Sequence, residues 1–100
     1  MNTKQEILEF LSSNQIYIKE HYSLTKLGLF GSFARDEQTK DSDVDLLIEI
    51  KSNTANINDL KNSLSNYLTQ AFGRNVDLAR EKYLKSYAKK EILQDTIYVY

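Results

Sequence analysis

Apolar residues recur at helical spacing early in the chain: Ile7, Leu11, Ile18 and Tyr22 follow Thr3 and Glu6, whose three-residue separation matches a capping box. This pattern predicts an amphipathic helix from Thr3 to about Glu20. Leu24 to Phe30 is short and apolar and is closed by Gly31-Ser32, as expected of a buried strand running into a tight turn. Ser32 to Arg35 opens a short helix, and the polar stretch Asp36 to Asp41 reads as a loop. The period then changes to two. From Asp43 to Ile50, Val44, Leu46, Ile48 and Ile50 fall on one face while Asp43, Asp45, Leu47 and Glu49 fall on the other, which predicts a strand. Ile57, Leu60, Leu64, Tyr67, Leu68 and Ala71 trace a helical stripe that ends at Phe72-Gly73. Asn75 to Ala79 is a further short strand, Arg80 to Gln94 is helical in composition, and Thr96 to Tyr100 is β-rich. The alternation of helix and strand predicts an α/β fold, a small sheet flanked by helices in a single domain over residues 1–100.

Composition narrows the chemistry. The chain has no Cys and a single His, His21, so thiolate nucleophiles, disulfides, iron–sulfur sites and two-histidine metal sites are excluded. No apolar run approaches the roughly 20 residues of a membrane span, and Met1 to Glu9 lacks a signal-peptide core, so a soluble, cytoplasmic protein without a membrane partner is expected. A net charge of −1 argues against a broad nucleic-acid-binding face. Catalysis, if present, must run on carboxylates, hydroxyls, Lys or Arg.

The carboxylates are placed for it. Residues two apart on a strand share a face, so Asp43 and Asp45 bring two anions together, and Asp77 adds a third if its strand lies alongside. Flanked by Val76 and Leu78, Asp77 is expected to have few routes to bulk water. Two charges about 4 Å apart repel by roughly 4 kcal/mol at an effective dielectric of 20, so the cluster calls for protons or cations. The fitting cation is Mg²⁺, which uses one or two protein carboxylates and completes its shell with water and phosphate. Two such ions can stabilise the attacking and leaving oxygens of a phosphoryl displacement. Taken alone, D-S-D-V-D also reads as a polar turn leading into a strand. Phe30-Gly31-Ser32, a strand followed by Gly and Ser at a helix start, offers free N–H groups and a hydroxyl to phosphate, with Arg35 one turn on. Alone it too is compatible with an ordinary capped turn. The two together make the stronger reading.

Gly31-Ser32-Phe33-Ala34-Arg35, Ser42-Asp43-Val44-Asp45-Leu46-Leu47-Ile48 and Val76-Asp77-Leu78 resemble, in order, the signature of the minimal nucleotidyltransferases of the DNA polymerase β-like superfamily. The resemblance implies a mixed sheet flanked by helices, with Gly31 and Ser32 holding the nucleotide triphosphate, Asp43 and Asp45 ligating two Mg²⁺ ions, and Asp77 binding the catalytic metal and assisting deprotonation of the acceptor. Asp36 departs from the pattern, since many relatives carry Gly after the Arg. The size is similar to that of antitoxins in HEPN–MNT modules, which implies transfer of AMP from ATP to a tyrosine of a partner HEPN ribonuclease. Two alternatives stay open: an inactive fold that silences its toxin by occlusion, and a small-molecule nucleotidyltransferase with a helical partner subunit. Arg80, Lys82, Lys85, Lys89 and Lys90 form a basic stretch that reads first as a solvated helix face and only second as a surface for an acidic partner or the nucleotide phosphates.

Overall fold

The computed structural model describes residues 1–100. Helix α1 (Lys4–Ser13) starts where the capping box places it: Thr3 Oγ1 accepts from the Glu6 amide at 3.1 Å, and Glu6 Oε1 accepts from the Asn2 amide at 3.0 Å. The single long helix expected to Glu20 is two. Asn14 ends α1 by donating both its backbone N–H and its side-chain Nδ2 to the Phe10 carbonyl, at 3.0 and 2.8 Å, and α2 (Gln15–His21) begins beyond it. The remaining order is β1 (Leu24–Phe30), the one-turn helix α3 (Gly31–Ala34), β2 (Val44–Ile50), α4 (Ile57–Phe72), β3 (Val76–Ala79), a 3-10 turn at Glu81–Tyr83, α5 (Ser86–Asp95) and β4 (Ile97–Tyr98). The helix expected over Arg80 to Gln94 is thus a 3-10 turn and a shorter helix, separated by extended backbone at Leu84 and Lys85. Gly73 caps α4 in the left-handed conformation, at φ 68°.

The sheet is mixed, in the order β3-β2-β1-β4. β1 runs antiparallel to both β2 and β4, and β3 lies parallel to β2 after the crossover through α4. One face carries Leu27, Leu29, Leu46 and Ile48, all wholly buried against Ile7, Leu11, Ile18, Leu64, Leu68 and Phe72 of α1, α2 and α4. Removing each of these large side chains from water is worth about 1.5–3 kcal/mol. The other face carries Asp45, Leu47 and Glu49; Leu47 is fully buried yet outside the main cluster, and α5 has no fully buried residue. No helix is long and apolar enough to cross a membrane.

Candidate active site

Strand register brings the acids together. Asp45 lies opposite Phe30 on one side and opposite Asp77 on the other, so the second and third acids of the sequence are direct neighbours across the parallel pair β2–β3. Asp43 stands one residue before β2, where the Val44 amide donates to the Asn75 carbonyl at 2.9 Å and ties the two strand entrances together. Asp77 is exposed rather than enclosed, because β3 is the outer strand of the sheet. Asp45 is the sheltered member. Burial, reinforced by the negative charges of Asp77 and Asp43, pushes its carboxyl up to about 6, against a smaller opposite pull from Arg35. Glu49, further along the same face, has a structural role instead: it accepts from Arg80 Nε at 3.3 Å and from the Glu81 amide at 3.2 Å.

The Gly-Ser turn meets this cluster edge on. Gly31 opens α3 at φ 76°, a left-handed conformation that side chains resist, and a Cβ there would overlap Oδ2 of Asp45. Glycine therefore lets the turn and the carboxylate approach each other. Ser32 is the next residue, half-buried, and Phe33 anchors the turn in the core with no exposure. Since α3 is one turn long, its free first-turn N–H groups, rather than an extended helix dipole, are what it can offer an anion.

Arg35 is exposed and pairs with neither Asp36 nor an acid of the cluster, although its charge still reaches Asp45. Its Nε donates to Glu37 Oε1 at 3.1 Å and its Nη1 to Asp95 Oδ2 at 3.4 Å, so α5 shares it with the loop after α3. Asp36 adopts φ 57°, the left-handed geometry that Gly occupies most easily and that Asp tolerates, and its carboxylate pairs with Lys4 at 2.8 Å. The departure from the motif thus keeps the backbone path that Gly would supply.

The donor set fits a hard divalent cation, although no three acidic groups close into a ready-made cage. Two or three carboxylate oxygens suffice when water and phosphate complete the shell, and a cation would offset the burial and the neighbouring charges that raise the Asp45 carboxyl. Beside Asp43 opens a groove of about 520 Å³ lined by Ser42, Gln70, Arg74 and Asn75 among others, with no hydrophobic side chain, so it suits a hydrophilic occupant. Arg74 went unnoticed in the sequence. The only local signal was a lone Arg wedged between the Gly that ends α4 and the strand bearing Asp77.

Known proteins are similar to this chain in sequence and fold. Residues 5–99 match the family model described as the nucleotidyltransferase domain. A Methanocaldococcus jannaschii protein provisionally named a protein adenylyltransferase is 38% identical, covering 99% of this chain and 100% of that one. The protein adenylyltransferase MntA of Thermococcus cleftensis is 32% identical, covering 99% and 98%. A solved structure provisionally named a minimal nucleotidyltransferase superposes with a TM-score of 0.74 at 25% identity, covering 92% of both chains. The fold alone, at TM-score 0.62 and 17% identity, is shared with a complex of tri-AMPylated Shewanella oneidensis HEPN toxin and MNT antitoxin, covering 93% of this chain and 71% of that one. With the register of its acids, the glycine turn beside them and full-length likeness to these relatives, the chain belongs to the nucleotidyltransferase domain family.

Proposed function

We propose that this nucleotidyltransferase is an antitoxin that transfers AMP from ATP to a tyrosine hydroxyl of a partner HEPN toxin. The observation that carries the reading is the convergence of Asp43, Asp45 and Asp77 at the strand entrances, with Gly31 packed against the Asp45 carboxylate. The names of full-length relatives as protein adenylyltransferases support the reaction class, and the HEPN complex of a fold relative supports the partner.

In this reading Gly31 and Ser32 hold the triphosphate and Arg35 reaches a phosphate oxygen by leaving Glu37 or Asp95. Asp43, Asp45 and Asp77 would hold two Mg²⁺ ions, which when bound would supply positive charge at the reacting phosphate. The tyrosine oxygen attacks the α-phosphorus, the bond to pyrophosphate breaks, and the phenolic proton passes to Asp77, which lies open to solvent at the sheet edge.

The test is the intact mass of the partner after incubation with this protein, ATP and Mg²⁺. One or more AMP increments on tyrosine are expected, and Asp45→Asn should slow transfer about a hundredfold or more by weakening metal binding. A partner that is silenced with no change in mass would replace this reading with occlusion.

A further inference from the structure

We propose that Arg74 is a positioning residue that holds the backbone leading into Asp43 in place for cation binding; the proposal rests on the reading of the acid cluster given above. Asp45 and Asp77 are fixed by the ladder, but Asp43 lies outside it, at the end of a loop with no regular structure after α3. Arg74 supplies what the ladder does not. Its Nη1 lies 3.1, 2.9 and 3.0 Å from the carbonyls of Thr39, Lys40 and Ser42, the last being the residue that joins Asp43. Nε donates to the Met1 carbonyl at 2.8 Å and Nη2 to Asn2 Oδ1 at 2.9 Å, while the guanidinium carbon stands 5.0 Å over the Phe33 ring.

One planar group therefore ties together α3, which carries the Gly-Ser turn, the loop before Asp43 and the chain just ahead of Asp77. All its acceptors are backbone carbonyls or an amide oxygen, not carboxylates, so its charge is not spent on the acid cluster. Such a fork cannot be copied by Lys, whose single ammonium has three donors and no plane to lie on the ring. The loop adds internal supports of its own: the Thr39 amide donates to Ser42 Oγ at 2.8 Å, the Ser42 amide to the Thr39 carbonyl at 3.1 Å and the Asp41 amide to Thr39 Oγ1 at 3.4 Å.

The experiment compares wild type, Arg74→Lys, Asp45→Asn and Ile7→Val, the last trimming the core under α1 as a control for lost stability alone. Mn²⁺ binding is titrated by paramagnetic relaxation, amide exchange is followed without metal, and AMP transfer is measured in parallel. In the wild type the Thr39 and Ser42 amides should be protected without any metal. In Arg74→Lys that protection should drop about tenfold or more and the Mn²⁺ dissociation constant should rise about tenfold, with the fold retained, whereas Ile7→Val should leave both near wild type. Unchanged Mn²⁺ affinity in Arg74→Lys, alongside weakened binding in Asp45→Asn, overturns the role of Arg74 and leaves the acid site standing. Unchanged binding in Asp45→Asn overturns the acid site and this proposal with it. Should Arg74→Lys not fold, the wild-type exchange decides: Thr39 and Ser42 amides exchanging as freely as in an unstructured chain overturn the proposal.

Discussion

Burial beside Asp77 and Asp43 raises the Asp45 carboxyl to about 6 from an ordinary 3.8, so the folded protein keeps a proton there that the unfolded chain has already released. Below pH 3.8 both states are protonated and the group costs nothing. Between pH 3.8 and about 6 only the unfolded chain has ionised, so stability falls across that window by on the order of 2 kcal/mol after allowance for solvent screening, and it levels off above 6, where folded Asp45 ionises too. Asp45→Asn should therefore raise the melting temperature at pH 7.5 by roughly 5 °C or more, and change it little at pH 4, while slowing AMP transfer as predicted above. Thermal unfolding at the two pH values checks this; an equal shift at both would mean that packing, not charge, sets the effect. That Asp43 and Asp45 share a face follows from the two-residue period of strands, which reports it directly, whereas Asp77 joined them only on the condition that its strand lay beside β2, as it does. The exposure of Asp77 could not be read from sequence, since its apolar neighbours do not say whether β3 is a central or an outer strand. Arg74 left no periodic trace, because its acceptors lie 32 to 73 residues away along the chain.

Strands and helices were legible to different degrees for a physical reason. Ile7, Leu11 and Ile18 keep one face through the break at Asn14, so hydrophobic spacing alone predicts one helix where a side chain competing for the Phe10 carbonyl makes two. Near the C-terminus, α5 buries no residue completely and its apolar stripe is correspondingly weak, which blurred its start. Register depends on close backbone approach at Gly28, paired with Leu47 on β2 and Tyr98 on β4. A Cβ at Gly28 would stand 2.6 Å from Thr96 Cγ2 and 3.0 Å from Tyr98 Cδ1. Gly28→Ala should push β4 off the sheet at a cost of about 1–3 kcal/mol. The readout is exchange of the Val99 amide, which donates to the Leu27 carbonyl at 2.7 Å; a fully protected amide in the variant would show that the strand absorbs the methyl.

Across the whole molecule the two faces of the sheet are unequally covered. Three helices bury the main core on one side, whereas α5 and the 3-10 turn are tied to the other by Arg35–Asp95, Lys26–Glu81 and Arg80–Glu49. Pairs as exposed as the first two contribute about 0–1 kcal/mol each and weaken with salt. The α5 amides should therefore exchange at a lower free energy than those of β1 and β2, with the gap widening as ionic strength rises. Uniform protection, independent of salt, would show that α5 unfolds only with the rest. The parallel pairing of β2 with β3 carries a last consequence, for the order in which the chain is made. β1, the glycine turn, Asp43 and Asp45 leave the ribosome before α4, and the β1–β2 hairpin can close locally, but Asp77 joins only after the crossover helix has emerged and folded back. A nascent chain thus holds its first two acids without the third, and the full crowding of charge that marks the site arises only once β3 has docked beside β2, with β4 still to follow.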